Sequence, residues 1–131
     1  RKEILEIIFS CDVGIGEFYQ TPKTLWGGCG LEIMACGKPL IHAFKFKDYE
    51  FKNAYGYPPP PICAANSQRS LFDWFLKLGN SEDLRSNIAG STLDWFHKYN
   101  GINLAKDILD LALEDNSAHI IKVNNKLILI L

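Results

Sequence analysis

Apolar residues recur at two different spacings along this chain, and the changes between them mark its elements. Ile4, Ile7 and Ile8 fall at helical spacing with Glu3 and Glu6 turned outward, which predicts a short amphipathic helix over residues 1–9. Asp12-Val13-Gly14-Ile15-Gly16 predicts a small strand closing on glycine, and residues 17–27 read as a loop from their Gln20-Thr21-Pro22-Lys23 centre. A second helix is predicted from Gly28–Gly30 to Cys36-Gly37, burying Leu31, Met34 and Ala35. Glycine suits the left-handed position just past a helix end, and Pro39 cannot continue a helix. Residues 39–43 then form a buried strand.

Residues 44–61 break the pattern. They are charged, aromatic and finally proline-rich, and they predict a loop, because prolines exclude helix and favour extended backbone. Their aromatic residues either stack bases or fold back on the domain, and folding back is the commoner outcome. Residues 61–65 predict a third strand. Asn66 or Ser67 caps the next helix, whose apolar face is Leu71, Trp74, Phe75 and Leu78. Gly79-Asn80-Ser81 breaks and recaps. Leu84, Ile88, Trp95, Phe96 and Tyr99 line a longer helix that ends at Asn100-Gly101, and Leu104, Ile108, Leu111 and Ala112 carry the last one. In residues 119–131 two β-rich runs flank Asn124-Asn125, which predicts a hairpin. The alternation argues an α/β layer built on parallel strands, with no internal repeat and no internal linker.

Composition narrows the function classes. The 131 residues suit one domain and bury about two-thirds of the unfolded surface. A net charge of −1 offers no basic patch for nucleic acid or an anionic membrane. No apolar run approaches the length of a transmembrane segment, and the apolar part of the first ten residues is too short for a signal peptide. Cys11, Cys29, Cys36 and Cys63 contain no Cys-x-x-Cys pair, so buried reduced thiols are expected rather than zinc or disulfides. His42, His97 and His119 have no ligand spacing, and no metal is expected. The chain starts at Arg1 and its single methionine is Met34, which suggests a piece of a longer protein.

Thr24 to Ala43, TLWGGCGLEIMACGKPLIHA, carries the chemistry: a glycine-rich loop, a helix and a strand in the order that offers a phosphate a helix N-terminus. LEIMACGKPLI with its upstream glycines resembles the nucleotide-binding signature in the C-terminal domain of group 1 glycosyltransferases of the GT-B fold. That signature has a Glu, seven residues, and a second Glu followed by an Ala-Met-Ala-like helix and a Gly-x-Pro turn. Glu32 stands at the second acid, and Thr24 replaces the first. Thr24-Leu25-Trp26-Gly27 fits a subset with small-x-aromatic-Gly there. The flanks extend the likeness over residues 5–113, through CDVGIGEF, PPPPICAANSQRSLFDWFLKL and the closing helix pair.

The resemblance implies a partial Rossmann-like three-layer α/β domain. Residues 1–115 would be the second half of a nucleotide-sugar-binding domain, and residues 116–131 a C-terminal β-hairpin or extension. The upstream half of the same polypeptide would hold the first three strands, the acceptor domain and the catalytic base, leaving a sheet edge exposed along residues 13–15. The implied activity is sugar transfer, with retention, from a nucleotide diphosphate-sugar donor to an unknown acceptor in the cytoplasm, with no cofactor. Amides at Gly28, Cys29 and Gly30 would stabilise charge on the departing diphosphate, and glycine lets the backbone approach closely. Glu32 would accept both ribose hydroxyls, as an acceptor-only carboxylate can. Thr24, Trp26, Gly27 and Leu31 complete the implied donor contacts, with Thr24 beside the sugar. Two other readings stand beside it. One is a degenerate domain that binds without catalysis, and the other is a different α/β nucleotide-binding enzyme. Glu32 alone could also be no more than an acid complementing a helix dipole.

Overall fold

The computed structural model describes residues 2–18, 25, 27–114, 119–123 and 126–130, with backbone alone from residue 112 onward. Helix α1 (Lys2–Ser10) leads into strand β1 (Gly14–Ile15), helix α2 (Gly28–Ala35) and strand β2 (Leu40–His42). Helix α3 (Asp48–Tyr55), strand β3 (Cys63–Ala64), and helices α4 (Gln68–Asn80), α5 (Glu82–Tyr99) and α6 (Gly101–Glu114) follow. A hairpin of β4 (His119–Val123) and β5 (Lys126–Ile130) closes the chain.

The strands lie in the order β1-β2-β3, all parallel, with Gly14 opposite Leu40 and Ile41 opposite Cys63. Parallel neighbours need a crossover, and α2 and α3 supply the two that join them. The fold is therefore mixed α/β on a small parallel sheet. β4 and β5 pair separately as an antiparallel hairpin, with His119 opposite Ile130. The Asn124-Asn125 turn expected between them lies outside the described residues.

The sheet buries both faces. Ile33 and Met34 of α2 close over Leu40 and Trp95 on one side, and Ile41, Cys63 and Ala65 meet Leu78 on the other. The buried face of α2 differs from the expected Leu31, Met34 and Ala35. Gly30, Ile33 and Met34 are buried, Leu31 is half-buried and Ala35 is exposed. Gly14 explains the rotation, because a Cβ there would lie 2.4 Å from Cγ2 of Ile33. The missing side chain is the space that Ile33 fills.

Residues 44–61 hold the main correction. They contain α3 rather than an unbroken loop. The Glu50 carboxylate accepts from the backbone N–H of Lys47 at 3.1 Å, and Gly56 ends the helix at φ 80°, a left-handed turn that favours glycine. The aromatic residues do fold back on the domain: Phe51 is fully buried beside Phe44, Phe46, Tyr55 and Tyr57. Tyr57 in turn stacks on Tyr99 with ring centroids 4.9 Å apart. Side chains pin the proline segment, with Trp95 Nε1 donating to the Pro58 carbonyl at 2.8 Å and Thr92 Oγ1 to that of Pro61 at 3.3 Å.

Caps fall where the sequence places them. Ser67 accepts from the Ser70 N–H at the start of α4, and Ser81 does the same for Leu84 in α5. Several apolar faces are less covered than expected. Ile4 and Ile7 of α1 are exposed, as are Phe72, Phe75 and Leu76 of α4 and Ile102, Ile108 and Leu111 of α6. Among the described residues β1 pairs only with β2, so its outer edge is open and Ile15 is exposed beside it.

Candidate functional site

The site candidates gather where α2 begins, at the carboxyl end of β1. Gly27 caps the helix in extended conformation, its carbonyl accepting from the Leu31 N–H at 3.2 Å. Gly28 and Cys29 are exposed, Gly30 is buried, and Leu31 and Glu32 are half-buried. The first-turn amides of a helix have no partner within it, and the helix dipole adds partial positive charge there.

Gly28, Leu31 and Glu32 line one cleft of about 380 Å³, facing Phe96, Asn100 and Gly101 at the α5–α6 junction. Cys29 turns away, into an apolar cleft of about 340 Å³ between α1 and β1 that includes Ile4, Ile8 and Ile15. The expected site residues therefore divide between two sides of α2. Thr24 and Trp26 lie outside the described residues. A carboxylate in the Glu32 cleft can accept two hydroxyl hydrogen bonds, and Asn100 lies across from it. Asn100 Nδ2 is buried and has no partner among the described residues.

Two further residues enter this region that are not among the expected site residues. Glu17 lies two residues past β1, and its carboxylate lies against the α2 cap: a Cβ on Gly27 would stand 2.5 Å from Oε1 and 3.1 Å from Oε2. His42, fully buried on the strand next door, accepts the Glu17 backbone N–H on Nδ1 at 2.9 Å. Glu17 reads in sequence as one acid in a loop, and His42 as one residue of a buried strand. Only the pairing of β1 with β2 brings them together. A separate cleft of about 600 Å³ opens at the carboxyl ends of β2 and β3, beside Phe18, Lys45 and Gln68. It contains none of the expected site residues.

The thiols divide as well. Cys63 is buried, and burial pushes it up to about 11. Burial also raises Cys36, with Lys38 pulling it down and Glu32 pushing it up. Cys11 and Cys29 are exposed, so burial does not extend to all four as expected, although all are unbridged. Among the described residues no cluster of three or more metal-ligating side chains occurs, and no helix is long and apolar enough to cross a membrane.

Burial lowers His42 below its ordinary value, while the Leu25 backbone and the Glu17 charge draw it partly back. The unfolded imidazole takes its proton near pH 6.5, and the folded one only at lower pH. The unfolded chain therefore binds more protons between those values, and stability rises with pH there. The contribution is complete above pH 6.5 and is lost as the pH falls through the folded value. Urea unfolding between about pH 7 and about pH 5 should show this decline, and His42→Asn should flatten it.

No protein-family model, no curated protein and no solved structure matches the chain.

Proposed function

We propose that this chain is the second half of the nucleotide-sugar-binding domain of a GT-B glycosyltransferase, with residues 116–131 as an extension. The protein containing it transfers a sugar from a nucleotide diphosphate donor to an acceptor, with retention and in the cytoplasm. The observation that carries this reading is the start of α2. A glycine-capped helix opens at the carboxyl end of a parallel strand, and Glu32 stands in its second turn in a cleft. Ligands of open α/β sheets bind at the carboxyl ends of the strands.

In this reading the amides of Gly28, Cys29 and Gly30 meet the departing diphosphate, and Glu32 holds the ribose. Thr24, Trp26, Gly27 and Leu31 are the remaining donor contacts. The open edge of β1 and the apolar cleft beneath α1 suit a sheet that continues into an upstream half of the polypeptide.

A second reading, a glycosyltransferase-like domain that binds without catalysis, is favoured by one observation. The Glu17 carboxylate lies at the α2 cap, where a diphosphate would meet a like charge. Assays of the full-length protein with a panel of uridine, guanosine and adenosine diphosphate sugars separate the two. Transfer or slow hydrolysis of one donor supports the enzyme. Binding of a nucleotide with no turnover of any donor supports the degenerate domain.

A further inference from the structure

We propose that His42 is a proton-operated latch on the loop between β1 and α2: neutral, it holds Glu17 in place at the helix cap, and protonated, it lets Glu17 go. The latch rests on the proposed donor site for its purpose, but its working parts are independent of that reading.

The ring is held at Nδ1, while its Nε2 is buried with no hydrogen-bond partner among the described residues. His42 shares its face of β2 with Leu40, the face on which α2 packs, since side chains two apart on a strand point the same way. It is fully buried, and Nδ1 accepts a hydrogen bond from the Glu17 N–H. An accepting Nδ1 assigns the proton of the neutral ring to Nε2. The approach is close enough to require glycine at the preceding position, because a Cβ on Gly16 would lie 2.4 Å from Nδ1. The Glu17 carbonyl meanwhile accepts from the Ala43 N–H at 3.2 Å. Glu17 is thus held on both sides of its backbone, and this sets its carboxylate against Gly27.

Adding a proton to Nδ1 turns an acceptor into a donor that faces another donor. That hydrogen bond cannot survive, and the Glu17 peptide must rotate or withdraw. The charged group acting on the ring is Glu17, two residues past β1. On β3 the titratable group, Cys63, packs with Ile41 on the opposite face of the sheet, and its thiol is neutral throughout this range. From the loop the ring meets the backbone of Leu25. Protonation therefore pulls the Glu17 carboxylate toward the new imidazolium and away from the α2 cap. The first turn of α2 then changes its charge surroundings with pH, and a donor bound there feels the change.

The test is amide and imidazole NMR on the full-length protein across the mildly acidic range, beside His42→Asn. Asparagine places an accepting oxygen near the position of Nδ1 and does not titrate. In the wild type the Glu17 and Gly27 amides should shift with the same midpoint as the His42 ring, and Glu17 should lose exchange protection there. In His42→Asn both amides should stay fixed. Glu17 and Gly27 amides that ignore the His42 midpoint, or that still move at that midpoint in His42→Asn, would overturn the latch. Binding of UDP, GDP and ADP over the same range forms a separate arm. Failure of all three to bind at any pH overturns the donor reading, while the amide titration still decides the latch.

Discussion

Replacing Trp95 with alanine is expected to produce the largest loss of stability in this chain, about 3–5 kcal/mol. The indole is buried between α2 and the proline segment, packed with Ile33, Met34 and Leu40. Its Nε1–H holds the Pro58 carbonyl, and its ring contacts Tyr57 and Tyr99 at 5.9 and 5.7 Å. Truncation leaves a cavity at the junction of three elements and strands a carbonyl as well. Trp95→Phe keeps most of the volume and loses the hydrogen bond, so it should cost less, with about 1 kcal/mol from that bond. Urea midpoints of the two variants check this, and equal losses would mean that the hydrogen bond rather than the packing dominates.

Phe51→Ala comes next, at about 3–5 kcal/mol. Phe51 is the one buried residue of α3, and its ring lies 4.6 Å from that of Tyr55 and 5.8 Å from that of Tyr57. Without it α3 has no anchor in the core, and an eight-residue helix is not stable alone. The expected result is loss of the α3 helical signal together with the stability, read by hydrogen exchange over residues 48–55. Normal protection of α3 in a destabilised variant would show that its caps, not Phe51, hold the helix.

The same residue explains why the sequence marks α3 so weakly. A helix is recognised in sequence by a recurring apolar face, and α3 places a single anchor in the core while Tyr49 and Tyr55 stay exposed. The four prolines that follow also suggested extended backbone for the whole stretch. The usable signals were chemical rather than periodic: Asp48 and Glu50 at the start and Gly56 at the end. The three strands and the ends of α2, α4 and α5 were legible because glycine, proline and serine punctuate them locally. The rotation of α2 was not, since it depends on the absent side chain of Gly14 across the sheet.

The candidate site divides along the same line. Gly27 to Glu32 follow from one continuous motif, and the structure keeps Gly28, Leu31 and Glu32 on one cleft. Glu17 and His42 are 25 residues apart, and neither is among the expected site residues. Their meeting follows from strand register, which a single sequence does not display. The exposed faces of α1 and α6 run against the simple rule that a periodic apolar face is buried within the domain.

The most direct measurement is calorimetric titration of the full-length protein with UDP, GDP and ADP, repeated with Glu32→Ala. One nucleotide should bind tightly, and the variant should lose at least about tenfold in affinity, or about 1.4 kcal/mol. That result would name the donor base and assign the ribose to Glu32. A folded protein that binds none of the three, or a Glu32→Ala variant that binds as tightly as the wild type, would contradict a donor site at the start of α2.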